Sequence, residues 1–279
     1  MQMRSVPFPA ISYAAVAFLC VLHSGTAFAW GNLGHRITGL VADEQLSAAA
    51  RREVKSLLGD ETLADAAIFM DTHRDELRDH WPDSARWHYD NREACDARPY
   101  CRDGNCATKQ IEHFLHTLGD KRVARSQRAL ALRLVIHMLG DIHQPLHMAD
   151  NHDRGGNDVW VRMYSGAERR RLHEMYDTEL VRDNINHQRD YRYALSLIAQ
   201  HRGQLHEWQQ GDVTSWANES YQLGVRLVYG VLPGFACGQE LSSTITLPTE
   251  YARHAHELVE NQLIKAGVRI AAVLNSALQ

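Results

Sequence analysis

Apolar residues recur at three- and four-residue intervals along most of this chain, the spacing that predicts amphipathic α-helices. The pattern is clearest in six segments: Gly34–Ala50, Gln127–Ile142, Arg169–Val181, Tyr191–Trp208, Asp212–Tyr229 and Thr249–Leu278. Asp158–Tyr164 is the best candidate for a strand. Residues 82–108 follow neither period, carry cysteines and predict a long stapled loop. Together these patterns predict one mostly α-helical domain.

The first 29 residues have the features of a secretory signal peptide. Arg4 provides the charged start, an apolar stretch follows, and Ala27–Ala29 forms a small-residue cleavage site. The stretch is also apolar enough for a membrane anchor, but it lacks charged stop-transfer flanks, so we favour cleavage. The expected mature domain is residues 30–279, secreted or periplasmic, without a stable membrane anchor and with Trp30 as its first residue.

Charge and cysteine content narrow the possible functions. Cleavage would remove Arg4, leaving 29 basic against 34 acidic residues, a formal charge of −5 that disfavours non-specific nucleic-acid binding. Nucleic-acid chemistry would then need local attraction, which bound metal ions supply. Four cysteines would remain, an even number that suits two disulfides in an oxidising compartment. A zinc cluster is disfavoured because Cys101 and Cys106 lack the usual C-x2-C spacing.

Two His/Asp pairs at four-residue spacing indicate metal binding. His137 and Asp141 fall on one face of a predicted helix in an otherwise apolar segment, and His173 and Asp177 repeat the spacing. Burial of a carboxylate beside an imidazole is unfavourable unless a cation compensates. A single pair is often an ordinary helix-surface pair, but two pairs in one chain favour a set of ligands.

The chain offers more nitrogen and oxygen ligands than one zinc ion needs. Besides the two pairs, the candidates are His35, Asp71, His88 and His147. A free α-amine on Trp30 would form a five-membered chelate with its own carbonyl. Several ions that share bridging carboxylates would use such a set. His143 is either a residue supporting the ligands or an ordinary core histidine, and the remaining histidines lack comparable partners.

The chain resembles the zinc-dependent single-strand-specific nucleases of fungi, plants and bacteria, the S1/P1 type, also called 3′-nucleotidases. The resemblance runs from Trp30 to near the C-terminus and rests on the motifs Trp30-Gly31-x-x-Gly34-His35, Asp71-x-x-Arg74, Trp87-His88-Tyr89, His137-x-x-x-Asp141-Ile142-His143-Gln144-Pro145-Leu146-His147, Gly155-Gly156-Asn157 and His173-x-x-x-Asp177. It implies a single-domain helical fold of the phospholipase C and nuclease type with a trinuclear zinc site. It also implies the disulfides Cys101–Cys106 and Cys95–Cys237.

The resemblance implies three zinc ions per chain and a ligand set for each. The first zinc would be held by Asp71, His88, His137 and Asp141. The second would be held by His147, His173 and Asp177. The third would be held by Trp30 (amine and carbonyl), His35 and Asp141, so that Asp141 bridges the first and third ions.

The resemblance also implies that the enzyme hydrolyses single-stranded RNA and DNA to 5′-phosphates and acts on mononucleotides. Asp71 would orient or deprotonate the attacking water, and Arg74 would donate to the developing negative charge. Tyr89 would stack on a base, with Asn91 and Asn157 at the base edge. Asn91 departs from the aspartate usual in the fungal enzymes, so base preference is expected to be weaker or different.

Two other functions fit part of the pattern. A zinc phospholipase C would use the same metal scaffold on lipid head groups. However, Asp177 stands at a position where those enzymes have Glu, and Arg74 and Tyr89 fit nucleotides better. Phospholipid is kept as a side substrate. A non-catalytic zinc-binding or adhesion protein would have no open coordination position, whereas this ligand set is unsaturated. We therefore expect a secreted, monomeric nuclease.

Overall fold

Helices form most of the protein in the computed structural model, which describes residues 30–96, 101, 103–241 and 243–279. The predicted signal peptide, residues 1–29, lies outside the described residues. The α-helices are α1 Asn32–Glu44, α2 Ala48–Leu58, α3 Leu63–Ala67, α4 Phe69–Thr72, α5 Arg74–His80, α6 Ala107–Gly119, α7 Arg125–Asp141, α8 Pro145–Met148, α9 Leu172–Glu174, α10 Leu180–Ile185, α11 Asp190–Gln200, α12 Leu205–Trp208, α13 Val213–Leu223 and α14 Thr249–Ala277.

Three tighter or wider helical turns and five short strands complete the described structure. A 3₁₀ turn spans Ser84–His88, and π-helical turns span Met175–Glu179 and Gly224–Tyr229. The strands are β1 Arg92–Glu93, β2 Ala149–Asp150, β3 Trp160–Arg162, β4 Arg170–Arg171 and β5 Ile245–Thr246. The prediction of a mostly α-helical fold is confirmed.

Two predicted helices, α7 and α14, match the structure within two residues at each end. Other predicted helices are divided. The segment Gly34–Ala50 is interrupted before Ser47, whose side chain accepts a hydrogen bond from the Ala50 amide and begins α2. Tyr191–Trp208 contains both α11 and α12. The apolar period continues through these breaks, so it does not reveal them.

Two sequence predictions are wrong at their boundaries. Arg169–Val181 is not helical from its start, because Arg170–Arg171 pairs with β3 and the helix begins at Leu172. The region 82–108 is irregular for most of its described length, but α6 already begins at Ala107. Helix α6 itself was missed, although its buried residues Ile111, Phe114 and Leu118 have helical spacing.

Helix α7 lies at the centre of the fold. Every residue from Leu134 to Asp141 is buried, because α7 packs against α3, α6 and α14 and also contacts α1. Helices α1 and α14 approach closely at Gly267, where a Cβ atom would lie 2.4 Å from a Val41 methyl carbon. The His/Asp pair on the last turns of α7 is therefore held inside the core.

The strands form two small sheets beside the helices. Strand β1 runs parallel to β2 with Arg92 opposite Ala149, and β3 lies between antiparallel β4 and parallel β5. The predicted strand is confirmed over Trp160–Arg162. Both disulfides implied by the resemblance are present, Cys95–Cys237 and Cys101–Cys106, with Cα–Cα distances of 5.7 and 5.8 Å. None of the described helices is long and apolar enough to cross a membrane.

Candidate metal centre

Asp141 lies at the centre of a buried group of imidazoles. Its Oδ2 lies 3.3 Å from His137 Nε2 one turn earlier on α7 and 3.0 Å from His88 Nδ1 in the 3₁₀ turn. Its Oδ1 lies 3.2 Å from His35 Nε2 on α1. His35, His137 and Asp141 have no exposed surface. Three separate elements thus bring nitrogen ligands to one carboxylate.

A second group forms where α8 meets the turn after α9. His173 Nε2 lies 3.1 Å from Asp177 Oδ2, and His147 Nε2 lies 3.8 Å from Asp177 Oδ1. Asp177 belongs to the π-helical turn Met175–Glu179, a feature frequent at functional sites. The ligand atoms of this group lie within 4.8 Å of one another. The predicted His/Asp pair is therefore brought together, although not on a regular α-helix.

The backbone determines which nitrogen three of the histidines present to the centre. Their Nδ1 atoms lie at hydrogen-bond distance from backbone carbonyls: His137 from Ala67 O at 2.6 Å, His147 from His88 O at 2.7 Å and His173 from Gly155 O at 2.6 Å. A carbonyl accepts only from a protonated nitrogen, so each Nε2 keeps its lone pair for a cation. Gly155 adopts φ +63°, and a Cβ there would lie 2.3 Å from Leu146 O. Glycine is therefore required at this position.

Asp71 and Arg74 lie beside the first group. The Asp71 side chain is 2% exposed, and its Oδ1 accepts a hydrogen bond of 2.8 Å from Arg74 Nη2. The ligand atoms of Asp71, His35 and His137 all lie within 4.8 Å of one another. Proximity therefore groups Asp71 with His35 as well as with His137. The second group adjoins the first at His147, whose Nδ1 lies 4.0 Å from Asp141 Oδ1.

The N-terminal tryptophan of the predicted mature chain lies between the two groups. Trp30 is fully buried, and its indole Nε1 donates to Gly140 O at 2.9 Å. The next amide, of Gly31, donates to Asp177 O at 2.9 Å. These bonds tie the start of the domain to both α7 and the π-helical turn. The α-amine chelate depends on cleavage after Ala29 and stays a prediction.

The electrostatics of the metal-free centre favour neutral side chains. Burial raises the pKa of Asp141 to about 8 and that of Asp177 to about 6. Burial, together with neighbouring imidazoles, lowers the pKa of His35 and His147 well below the usual value. Folding therefore brings together Asp and His side chains whose charged forms are unfavourable unless a bound cation compensates.

Several buried polar atoms of the centre have no hydrogen-bond partner. They are His35 Nδ1 and Nε2, Asp71 Oδ2, Asp141 Oδ1 and His147 Nε2. Unpaired buried polar atoms are normally rare because each one is destabilising. Imidazole nitrogens and carboxylate oxygens are the ligands that zinc accepts. The residues present therefore fit a zinc centre of more than one ion.

Two clefts open beside the centre and share Asn157 and His173 in their walls. The smaller, about 200 Å³, is also lined by His88, Tyr89 and Asn91, so the predicted substrate residues do line one cavity. Asn91 and Asp90 donate their amides to His147 O, which ties this loop to α8. The larger cleft, about 640 Å³, lies on the side of Gly31 and Asp177.

Sequence reasoning did not assign a role to Gln144. Its Nε2 donates to Asp177 Oδ1 at 2.7 Å and its Oε1 accepts from Leu146 N at 2.6 Å, with the side chain fully buried. In the sequence, the signal that could have pointed to a role for Gln144 was its position directly before Pro145. His143 instead packs toward α14, where its Nε2 lies 3.0 Å from an Arg269 guanidinium nitrogen. It belongs to none of the groups of candidate ligands in the described residues.

A buried centre of imidazoles and carboxylates that opens onto clefts defines a metal-dependent enzyme. A sequence model described as S1/P1 Nuclease matches residues 30–279. Endonuclease 2 of Arabidopsis thaliana is 27% identical over 88% of this chain and 89% of its own length. Nuclease S1 of Aspergillus oryzae is 27% identical over 89% of this chain and 91% of its own length. Nuclease P1 of Penicillium citrinum is 27% identical over 82% of this chain and 80% of its own length. The chain belongs to the S1/P1 nuclease family, and it is a nuclease.

Proposed function

We propose that this protein is a secreted, zinc-dependent nuclease that cleaves single-stranded RNA and DNA to 5′-nucleotides and also removes 3′-phosphates from nucleotides. Residues 1–29 would be the signal peptide and residues 30–279 the enzyme. The observation that carries the proposal is the set of buried, unpaired imidazole and carboxylate atoms around Asp141. The two disulfides favour an oxidising compartment.

Three zinc ions per chain would occupy the centre, with the ligands divided as the resemblance implies. The first ion takes Asp71, His88, His137 and Asp141, and the second takes His147, His173 and Asp177. The third takes His35, Asp141 and the amine and carbonyl of Trp30. The short distances from Asp141 to histidines of both the first and the third set support its role as the bridge.

Bound zinc ions neutralise phosphate charge and lower the pKa of a water molecule so that it can attack phosphorus. Asp71 contributes to this step because it is nearly buried and one of its oxygens has no partner. We assign it to orienting the attacking water and accepting its proton. The Arg74 guanidinium, held 2.8 Å from Asp71, is placed to donate to phosphate oxygens as negative charge develops.

Base recognition would use the smaller cleft. Tyr89 is the residue next to His88, so a base stacked on its ring places the adjoining phosphate at the metal centre. Such stacking stabilises binding by about 1–3 kcal/mol per base and tolerates different bases. Asn157 donates its Nδ2 to Arg154 O, which leaves its Oδ1 for a base edge. A duplex keeps its bases stacked, so it does not fill this cleft, which gives the single-strand preference.

The defining experiment compares single-stranded RNA, single-stranded DNA, duplex DNA and phosphatidylcholine vesicles as substrates of the zinc-loaded protein that begins at Trp30. Metal content and oligomeric state are measured on the same sample. We expect single strands to be cleaved fastest, to 5′-phosphates, by a monomer with three zinc ions. Cleavage of lipid with nucleic acids untouched would instead establish the phospholipase C alternative, and slow lipid cleavage beside fast nuclease activity would mark a side substrate.

An N-terminal extension tests the role of the free amine. A protein with one alanine retained before Trp30 loses the amine ligand but keeps every side chain. We expect it to hold two zinc ions firmly and to lose most of its turnover. Full activity and three zinc ions in a protein verified to be extended would contradict the assignment of Trp30.

A further inference from the structure

The larger cleft is lined by two arginines that lie outside the candidate ligand groups of the described residues. Arg171, a residue of β4, lines the cleft two residues before His173, and Arg182 of α10 lines it as well. Toward the metal centre the cleft is lined by Gly31, His173 and Asp177, and its wall also includes one glutamate, Glu174. The cleft therefore joins the metal centre to a basic surface in a chain of net negative charge.

The position of Arg171 is determined by an aromatic ring rather than by a carboxylate. Trp160 of β3 lies opposite Arg171 in the sheet register. The Arg171 guanidinium carbon lies 3.7 Å from the centroid of the Trp160 ring, and that of Arg169 lies 4.3 Å from it. Stacking on an indole orients a guanidinium and leaves its N–H groups available to an anion.

The nearest glutamates pair with arginines other than Arg171. Arg170, which lies opposite Val161 in the sheet register, forms ion pairs with Glu168, Glu174 and Glu179. Glu179 also pairs with Arg182 at 3.3 Å. In the part of the chain that the structure describes, no salt bridge engages Arg169 or Arg171. Two like charges on one indole repel each other, and an anion bound between or beside them removes that repulsion.

We propose that this larger cleft binds the phosphodiester backbone downstream of the cleaved bond, with Arg171 as the main phosphate ligand and Arg182 as the second. This proposal rests on the proposed function. A 3′-nucleotide has its base on the 3′-oxygen side of the phosphate, so an enzyme that accepts it recognises the base on that side. The cleft at Tyr89 then holds the upstream nucleoside, and the downstream strand leaves along the cleft at Arg171.

Cleavage of the trinucleoside diphosphate dTpdTpdT tests the proposal. Hydrolysis of the first linkage gives thymidine and pdTpdT, and it leaves the second phosphate in the downstream cleft. Hydrolysis of the second linkage gives dTpdT and pdT, with no phosphate in that cleft. The initial ratio of the two product pairs therefore measures downstream phosphate binding, independently of the fraction of active enzyme or its zinc content.

The zinc-loaded Arg171→Gln protein should shift this ratio 3- to 10-fold toward the second linkage, and Arg182→Gln should shift it less. Hydrolysis of dTpdT, which has no downstream phosphate, should fall less than hydrolysis of the first linkage of dTpdTpdT. Arg52→Gln, an exposed arginine outside the cleft, is the matched control and should leave the ratio unchanged. These magnitudes correspond to one lost contact of ordinary net strength, because solvent in an open cleft screens the charges.

Equilibrium binding gives a second readout. With zinc-loaded protein and a phosphorothioate octathymidylate, the slope of log Kd against log salt should fall by about 0.7 in Arg171→Gln, the value for one phosphate contact on a single strand. An unchanged product ratio and salt slope would overturn the proposal, as would a shift toward the first linkage. Failure of the wild-type enzyme to cleave dTpdT at all would instead overturn the proposed function.

Discussion

Gly140 sets the space available to His35, and adding one methyl group there tests the metal centre directly. Gly140 is the penultimate residue of α7, next to Asp141. A Cβ at this position would lie 2.9 Å from His35 Nδ1 and 3.2 Å from its Cε1. His35 Nε2, on the other side of the ring, faces Asp141 at 3.2 Å. Any displacement of the ring therefore moves the nitrogen proposed to bind the third zinc.

The size of the displacement follows from ordinary contact distances. Non-bonded heavy atoms settle at about 3.5–4.0 Å, so the His35 ring in Gly140→Ala has to move by roughly 0.5 Å or more. Zinc sites tolerate deviations of only about 0.2 Å in ligand distance. The effect on folding is smaller, because overpacking costs about 1–3 kcal/mol while alanine is favoured over glycine in a helix by about 1 kcal/mol.

We expect Gly140→Ala to fold, to retain two zinc ions after dialysis against buffered zinc, and to lose about 10- to 100-fold in turnover. Zinc per chain would be measured by mass spectrometry of the metal, and folding by urea denaturation of the metal-free protein. Gly119→Ala is the matched control, since its Cβ would lie 3.9 Å from Ala277 O. A Gly140→Ala protein with wild-type zinc content and turnover would refute this account of the His35 site.

Three further predictions follow from the centre and its supports. Gln144→Leu removes the hydrogen bond to Asp177, and we expect zinc affinity to fall about 10- to 100-fold in a chelator competition; an unchanged affinity would show that Gln144 is only a packing residue. Because the pKa of Asp141 is raised to about 8 in the metal-free protein, zinc displaces a proton from it below that pH. Calorimetry in buffers of different ionisation enthalpy should therefore show more protons released at pH 6.5 than at pH 9, and affinity rising with pH; equal release would contradict it. Replacing both Cys95 and Cys237 by serine removes a disulfide between residues 142 positions apart. The free energy of unfolding, measured by urea titration, should fall by up to about 4–5 kcal/mol. A loss below about 1 kcal/mol would show that other contacts already close the loop.

The sequence by itself determined the helical class and named most of the candidate metal ligands. The His137/Asp141 pair was readable because four-residue spacing places two side chains on one helical face, whatever surrounds the helix. The same spacing found His173 and Asp177, and a separate strand signal found the strand around Trp160. The spacing did not reveal that a strand precedes His173, because that strand depends on pairing with β3. It also did not reveal that Asp177 lies in a π-helical turn, because one wider turn hardly changes the helical spacing of the side chains.

Only the tertiary structure decided how the ligands are arranged and supported. His35 reaches Asp141 from 106 positions earlier in the chain, and Trp30 reaches the Gly140 carbonyl from 110 positions earlier. The carbonyl of Gly155 that orients His173 leaves no mark on side-chain periodicity. Such contacts arise from the packing of α1, α7 and the turns around them, and many sequences share the local patterns without sharing that packing. The local pattern therefore names candidate ligands, and long-range packing makes them one centre.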